Sequence, residues 1–465
     1  MKRGTKLLSL ASVLIWGLHA QSNPGNTTAQ TAAGTASESS PEKAIVLQDV
    51  RLIAGSGYAP VNHASILIQD GKIAQIVTYG NGNDQWPPDA NILKLTGKTV
   101  MPGIINGHGH LGLSQGLTVG PQNYTEQNIE QQMLQYERYG VTSMISLGMN
   151  QDLLYDIIAR QKKGEIGGAT VMTADRGLGT PGGVPGVDVG SNQVYRPATP
   201  QEARAGVDEM ATRHPTLVKI WVDTGLGKSP APNPAVYAAA ISEAHRKHMR
   251  VAVHVYYLAD AKRVAQDGAD ILAHSIRDQP VDSEMIALLK KHRMYYIPTL
   301  QLEEAFFIYA DHPAWMDDPF FKNAVNPEVM AHLLSPEYKQ KITQDPTTAI
   351  HRAALRTAMA NLKTLQDAGI PIGFGTDSGA NPYRIQGFAE HRELQLMVEA
   401  GLTPIQAIHS ATGVNAQMLH IDTKTGTIQQ GKQADLIVVD GDPSQNIADT
   451  EKIVMVFHNG REIKR

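Results

Sequence analysis

Between residues 100 and 376 the chain alternates eight times between short β-rich apolar runs and stretches of helical period. The apolar runs are Val100–Ile105, Thr142–Leu147, Thr170–Thr173, Leu217–Val222, Arg250–Val255, Ile271–His274, Met294–Thr299 and Ile372–Thr376. Helices separate most of them. Pro234–Lys247 opens behind Asn233, with proline at the first helical position, and Met359–Ala368 closes at Gly369. Adjacent parallel strands need a crossover connection, usually a helix. Eight such units predict an α/β chain with a (β/α)8 TIM barrel over 101–415. An open doubly wound sheet is the competing reading.

The two ends of the chain have a different texture. Ala44–Leu47, Val50–Ile53, Ala64–Asp70 and Lys72–Val77 are short β-rich runs, with turns such as Asp70-Gly71 between them. Gly426–Ile428, Asp435–Asp440 and Ile453–His458 repeat that pattern, with turns at Gly431-Lys432 and Gly441-Asp442. Residues 43–100 and 416–465 are therefore expected to build one small composite β-sandwich domain. Two connections are long enough to act as covers or small subdomains: the Gly- and Pro-rich Gly177–Pro200, and Gln301–Ile350. The second carries Phe306, Phe307, Tyr309, Trp315, Phe320 and Phe321, which read mostly as packing of an inserted helical hairpin.

Residues 1–20 have the form of a signal peptide. Lys2, Arg3 and Lys6 precede the apolar run Leu7–Leu18, and Ala20 offers a small residue for cleavage. Twelve apolar residues fall short of the ~20 that span a bilayer. An uncleaved short anchor is the alternative. Residues 21–42, rich in Ser, Thr, Ala and Gly, read as a flexible linker. The expected location is periplasmic or secreted, with no stable membrane span.

The chain has no cysteine. That excludes disulfides, thiolate nucleophiles, Cys-bound zinc and iron–sulfur clusters, and leaves His, Asp, Glu or a modified Lys as metal ligands. A secreted chain without disulfides fits a bacterial envelope. The formal charge of -4 gives no general attraction to nucleic acid. A homo-oligomer is compatible with the sequence.

The chemistry gathers at the predicted strand ends. His108 and His110, two apart at the end of the first run, point to one strand face. His254 ends the fifth run, His274 the sixth, and Asp377 follows the eighth. Each alone fits a hydrogen-bonded core residue. Together they mark the C-terminal face where barrel active sites form, and a shared metal would offset the cost of burying them unpaired. Lys219 lies within the fourth run. It either points outward, pairs with Asp223, or faces inward, where an amine that adds CO2 becomes a carbamate able to bridge two metals.

The order of these residues resembles the amidohydrolase superfamily. Met101-Pro102-Gly103-Ile104-Ile105-Asn106-Gly107-His108-Gly109-His110 is similar to its opening motif, and Phe374-Gly375-Thr376-Asp377 to its eighth-strand motif. Ala407–Thr412 and Gly431–Leu436 resemble its closing helix and returning sheet, so the likeness runs from about Ala44 to Arg465. The nearest branch is that of imidazolonepropionase and the Xaa-Pro dipeptidase-like enzymes. The resemblance implies two divalent metal ions, zinc by the fit to His and Asp, bridged by carboxylated Lys219. One ion would sit on His108, His110 and Asp377, the other on His254 and His274.

It further implies hydrolysis of an amide, peptide or cyclic-amide C–N bond of a small molecule by a metal-activated hydroxide. Asp377 would move the proton, and Tyr256 would hold the oxyanion or a substrate carboxylate. Arg176 and His391 are further candidate substrate contacts, and Arg384, Glu390 and Arg392 lie in the same post-strand-eight region. The dipeptidase-like relatives often carry a histidine in the strand-three loop, and Gly177–Pro200 has none, which leaves amidase and lactamase substrates open. The rival readings are a mononuclear deaminase-like hydrolase with unmodified Lys219, and a catalytically inactive envelope binding protein.

Overall fold

A computed structural model of the protein describes residues 43–78, 85–190 and 192–464. The expected signal peptide and the whole of the expected linker lie outside these residues. Five strands open the chain: β1 (Ile45–Leu52), β2 (Val61–Gln69), β3 (Lys72–Thr78), β4 (Asn91–Lys94) and β5 (Thr99–Pro102). Then follow β6 (Ile104–Gly109), a small hairpin of β7 (Ser114–Gln115) and β8 (Thr118–Val119), β9 (Val141–Ser146) and β10 (Thr170–Thr173). The central part continues with β11 (Val218–Trp221), β12 (Val251–His254), β13 (Ile271–Ala273) and β14 (Tyr295–Ile297). β15 (Leu436–Val439), β16 (Ile453–His458) and β17 (Arg461–Glu462) close it.

Both chain ends meet in one eight-stranded sheet, ordered β17-β16-β15-β5-β1-β2-β3, with β4 beside β1. Strand alternation makes this sheet a partition. Leu436 and Val438 of β15 pack into a small core with Leu47, Ile66, Ile73 and Phe457, whereas Ile437 and Val439 pack into the large core. The run Gly426–Ile428 forms no strand; Ile428 instead bonds through its N–H to Ala54 O.

The central strands are parallel, in two groups: β10-β9-β6, and β11-β12-β13-β14. β6, β9, β11, β12 and β13 are buried on both faces, which is why their sequences are continuous apolar runs, whereas one face of β10 stays partly exposed at Thr170 and Met172. The groups are linked by single parallel bridges. Leu178 pairs with Ile220, Tyr296 with Ile372, and Gly109 with Ser378. The eighth predicted strand, Ile372–Thr376, thus forms no regular ladder. Its backbone is diverted at the end, where Thr376 N and Asp377 N both donate to His108 O and Asp377 turns left-handed at φ 60°.

The helix signals act as their residue types dictate. Asn233 caps Pro234–Arg246 through Ala235 N, and Thr125 caps Glu126–Arg138 through Asn128 N. The helix before Gly369 is longer than expected, Thr347–Asp367. Gln301–Ile350 is a chain of short helices around Tyr309, Trp315 and Phe321, with Phe388 closing the cluster, rather than one hairpin. Gly177–Pro200 is irregular yet organised: Arg196 donates to the carbonyls of Thr180, Gly183, Val184 and Pro185.

Candidate metal centre

Four strand ends and one mid-strand position converge. His108 lies near the end of β6 with His110 just beyond it; His254 ends β12, His274 follows β13, and Lys219 is the second residue of β11. Asp377 follows the bridged segment beside β6. All six are buried. Asp377 Oδ1 is 3.1 Å from His108 Nε2 and 2.9 Å from His110 Nε2. The His274 ring centroid is 4.4 Å from those of His108 and His254. One ligand atom from each of His108, His274 and Asp377 falls within 4.8 Å of the others, so these three could hold a metal ion.

The electrostatics suit ligation, which needs neutral imidazole and ionised carboxylate. Burial, with the Lys219 amine nearby, holds His108 well below the usual imidazole range; burial and the neighbouring His108 and His254 do the same to His274. Burial lowers His254 as well. Burial opposes ionisation of Asp377, but the Arg384 guanidinium and the bonds to His108 and His110 outweigh it and keep the carboxyl well below its usual range. Lys219 faces inward: its charge acts on His108, His254, His274 and Asp377. Its Nζ is buried with no hydrogen-bond partner among the described residues, 5.5 Å from the Trp221 ring centroid, and burial pulls its pKa down to about 7. His108 Nδ1 and His110 Nδ1 are also buried and unpartnered. Nitrogen and carboxylate donors around unpartnered buried atoms fit a divalent metal.

A polar layer fixes these ligands. Asn106 Oδ1 accepts from His108 N at 2.9 Å, and its amide donates to Glu390 at 2.8 Å. Glu390 also accepts from Thr376, Ser378 and Gly387 N. Glycine gives the close approach between strands. A Cβ on Gly107 would lie 2.8 Å from Phe374 O, and one on Gly375 would lie 2.5 Å from His108 Cβ. Gly107, Gly109 and Gly112 have the spacing of a dinucleotide-binding loop. Here the first serves this packing, and Gly109 lies against Tyr136 and Asn106.

Three supporting residues were not among the expected site. Asp223 Oδ2 is 2.9 Å from His254 Nε2, so it pairs with the histidine and not with Lys219. Its place two residues after β11 is a signal the sequence did hold. Thr299 Oγ1 is 2.8 Å from His274 Nδ1. Glu393, buried, accepts from Leu300 N and Gln301 N; burial raises its pKa to about 8 against those bonds. Nothing in the local sequence announces either residue.

Of the expected substrate contacts, Tyr256 follows β12, with the Arg277 guanidinium 4.6 Å from its ring centroid. Burial pushes its phenol up to about 12. Arg277 pairs with Glu303, Glu303 with His351, and His351 stacks on Phe306 at 3.8 Å. Two expectations need correction. Arg176 is held by Asp152, Glu209, Tyr195 and the Asn192 carbonyl, which occupy its guanidinium. His391 is fully buried, with Nδ1 bonded to Thr450 and Nε2 to Tyr139 O, so neither nitrogen is left for substrate. Arg392 is likewise committed to Glu304 and Glu399.

Known proteins resemble this chain in fold or sequence. A crystal structure of a Xaa-Pro dipeptidase with methionine bound in its active site superposes with a TM-score of 0.70 at 23% identity, over 91% of this chain and 100% of that one. Ochratoxinase from A. niger gives 0.69 at 19% identity, over 91% and 96%. A 5-methylthioadenosine/S-adenosylhomocysteine deaminase from Halalkalibacterium halodurans is 22% identical over 85% of this chain and 84% of its own length. One of the same name from Bacillus cytotoxicus is 27% identical over 124 residues, so the chain spans 28% of that relative's length and 25% of its own is matched. The amidohydrolase family profile matches residues 99–463, covering every strand that carries a candidate ligand. The chain belongs to the amidohydrolase family.

Proposed function

We propose that this chain is an exported, metal-dependent amidohydrolase that cleaves a C–N bond in a small amide, peptide-like or cyclic-amide substrate. The observation that carries the reading is Lys219: a buried amine without a hydrogen-bond partner among the described residues, set among three imidazoles and a carboxylate. As a carbamate it would be an anion shared between two metal sites. His108, His110 and Asp377 would hold one ion, His254 and His274 the other, zinc suiting this donor set. When bound, the ions supply Lewis acidity and lower the pKa of water towards ~7. Asp377, ionised and oriented by two imidazoles, accepts a proton and passes it to the leaving nitrogen. Tyr256 steadies the developing oxyanion through its hydroxyl. The single bridges between the strand groups support a (β/α)8 barrel, and the shared end-to-end sheet supports a composite β-sandwich domain. Export rests on residues 1–20 alone.

A mononuclear, deaminase-like site is the second reading. It is favoured by the tight grouping of only His108, His274 and Asp377, and by the engagement of His254 with Asp223. Metal analysis of protein starting at residue 21, with and without bicarbonate, separates the two. Near two ions per chain, lost in Lys219→Ala, with hydrolysis of an N-acyl amino acid, dipeptide and lactam panel abolished in Asp377→Asn, supports the binuclear hydrolase. One ion, unaffected by Lys219→Ala, supports the deaminase-like site. No metal and no turnover sinks both and leaves a binding protein.

A further inference from the structure

Arg277 joins the ends of the two strands that present His254 and His274. The ladder between β12 and β13 ends at the pair His254–Ala273. Just beyond it, His274 turns left-handed at φ 83°. Val255 N still reaches Ala273 O, at 3.4 Å. The next ties come from Arg277. Its N–H donates to Tyr256 O at 3.1 Å. One terminal nitrogen of its guanidinium donates both to Val255 O, at 3.0 Å, and to Ser275 O, at 2.8 Å. Each of these two carbonyls belongs to the residue directly after a candidate ligand: Val255 follows His254, and Ser275 follows His274. The guanidinium carbon also lies over the Tyr256 ring, 4.6 Å from its centroid.

A guanidinium only 5% exposed needs a counter-ion. Glu303 supplies it, with Oε1 accepting from Arg277 Nε at 2.6 Å. The other carboxylate oxygen is bonded to His351 Nδ1, at 2.7 Å, on the helix Thr347–Asp367. The carboxylate is thus held from a different part of the chain, and Arg277 cannot swing away without leaving a buried charge unpaired. The arrangement uses a planar fork with donors in fixed directions; a lysine ammonium has the charge but not the fork. We propose that Arg277 is the positioning residue of the His254–His274 pair. Its guanidinium sets the separation of the two rings, whose centroids are 4.4 Å apart, and holds Tyr256 beside them. Glu303 is the counter-ion that lets it sit there. Both act through the ligands and not on the substrate. This assignment rests on the reading of His254 and His274 as ligands of one metal ion.

The test compares two variants with the parent. Arg277→Met/Glu303→Met removes both charges, so that neither is left buried alone. Arg277→Lys keeps the charge but cannot hold Glu303 and both carbonyls at once. Crystal structures of the metal-free proteins read the ring separation, and zinc titration against a chromophoric chelator reads the affinity of each equivalent. In both variants the His254–His274 separation is expected to change by more than about 0.5 Å. The second zinc equivalent should bind about tenfold or more weaker, and the first as in the parent. If the double variant does not fold, Arg277→Lys carries the same readings. Unchanged ring separation, or a second equivalent that binds as in the parent, overturns the proposal. Full recovery in Arg277→Lys also overturns it, since charge alone would then explain the effect. Loss of both equivalents in step with the melting temperature would make Arg277 a support of the fold only, and overturns it too. A parent that binds fewer than two ions fails as a binuclear hydrolase, and the metal-free ring separation then decides the role of Arg277 by itself.

Discussion

Thr299 Oγ1 lies 2.8 Å from Nδ1 of His274, and both residues hold left-handed backbone, at φ 47° and 83°. Neither is glycine, and a β-branched residue rarely adopts such a φ. The surrounding structure enforces it: Glu393 anchors the next two N–H groups. The hydroxyl holds Nδ1 of the ring and leaves Nε2 as the nitrogen that could bind a metal. Thr299→Val keeps the shape and removes the bond. It is expected to weaken metal affinity about 10- to 100-fold, as loss of an orienting partner does, with Thr299→Ser restoring most of it. Competition against a chelator reads both variants.

Lys219→Met should move two measurements in opposite directions. The amine is buried without a hydrogen-bond partner among the described residues, so an apolar side chain of similar length removes a desolvation cost. The melting temperature in chelator should rise, by the equivalent of about 1–3 kcal/mol. Metal bound per chain should fall. A variant that melts lower and keeps its metal would mean that the lysine supports the fold rather than the site.

The convergence of these candidate residues was legible because they lie within or at the ends of apolar strands. His108, His254, His274 and Lys219 are found by locating seven buried runs, and those runs are visible because both faces of a parallel strand are covered. The eighth was misread at its edges. Ile372–Thr376 has strand composition, but Thr376 and Asp377 both turn their N–H groups to one carbonyl, and no pattern of side chains reports that. His391 and Arg176 were misjudged for a related reason. A polar residue near a strand end or helix start looks the same whether it faces the mouth or a neighbouring helix; the packing of Tyr139, Thr450, Glu209 and Asp152 decides it. Thr299 and Glu393 were invisible because their roles depend on a backbone turn.

His458 of β16 is bonded to Glu137 at 2.5 Å, joining the end-to-end sheet to the helix Glu126–Arg138. Burial opposes charging of the imidazole, but Glu137, with Asp435 nearby, raises its pKa above the usual value. A raised histidine stabilises the fold fully below the unfolded pKa near 6.5 and loses that stabilisation as pH rises through the higher folded value. The unfolding free energy from urea titration should therefore fall between pH 6 and 9, by about 1–2 kcal/mol for a charge-assisted bond. Glu137→Gln should flatten this part of the profile. An unchanged slope in that variant would assign the pH dependence elsewhere.

Gly375 is where packing and chemistry are least separable. A Cβ there would meet His108 Cβ at 2.5 Å and His108 N at 2.8 Å, and one of those contacts is backbone that cannot rotate away. Gly375→Ala must therefore push β6 and the Asp377 segment apart. Overpacking of this kind costs about 1–3 kcal/mol. The larger effect should be on the site, because the same shift opens the 3.1 Å His108–Asp377 contact. Gly186→Ala is the control: no atom lies within 4 Å of its Cβ, and it should change stability by less than about 0.5 kcal/mol. The expected result is a modest loss of melting temperature with a disproportionate loss of bound metal in Gly375→Ala, and neither in Gly186→Ala. If metal binding and stability fall together in proportion, the two strands carry the fold and the ligand spacing is tolerant. If metal binding falls first, the missing methyl group at Gly375 sets the distance between the imidazole and the carboxylate.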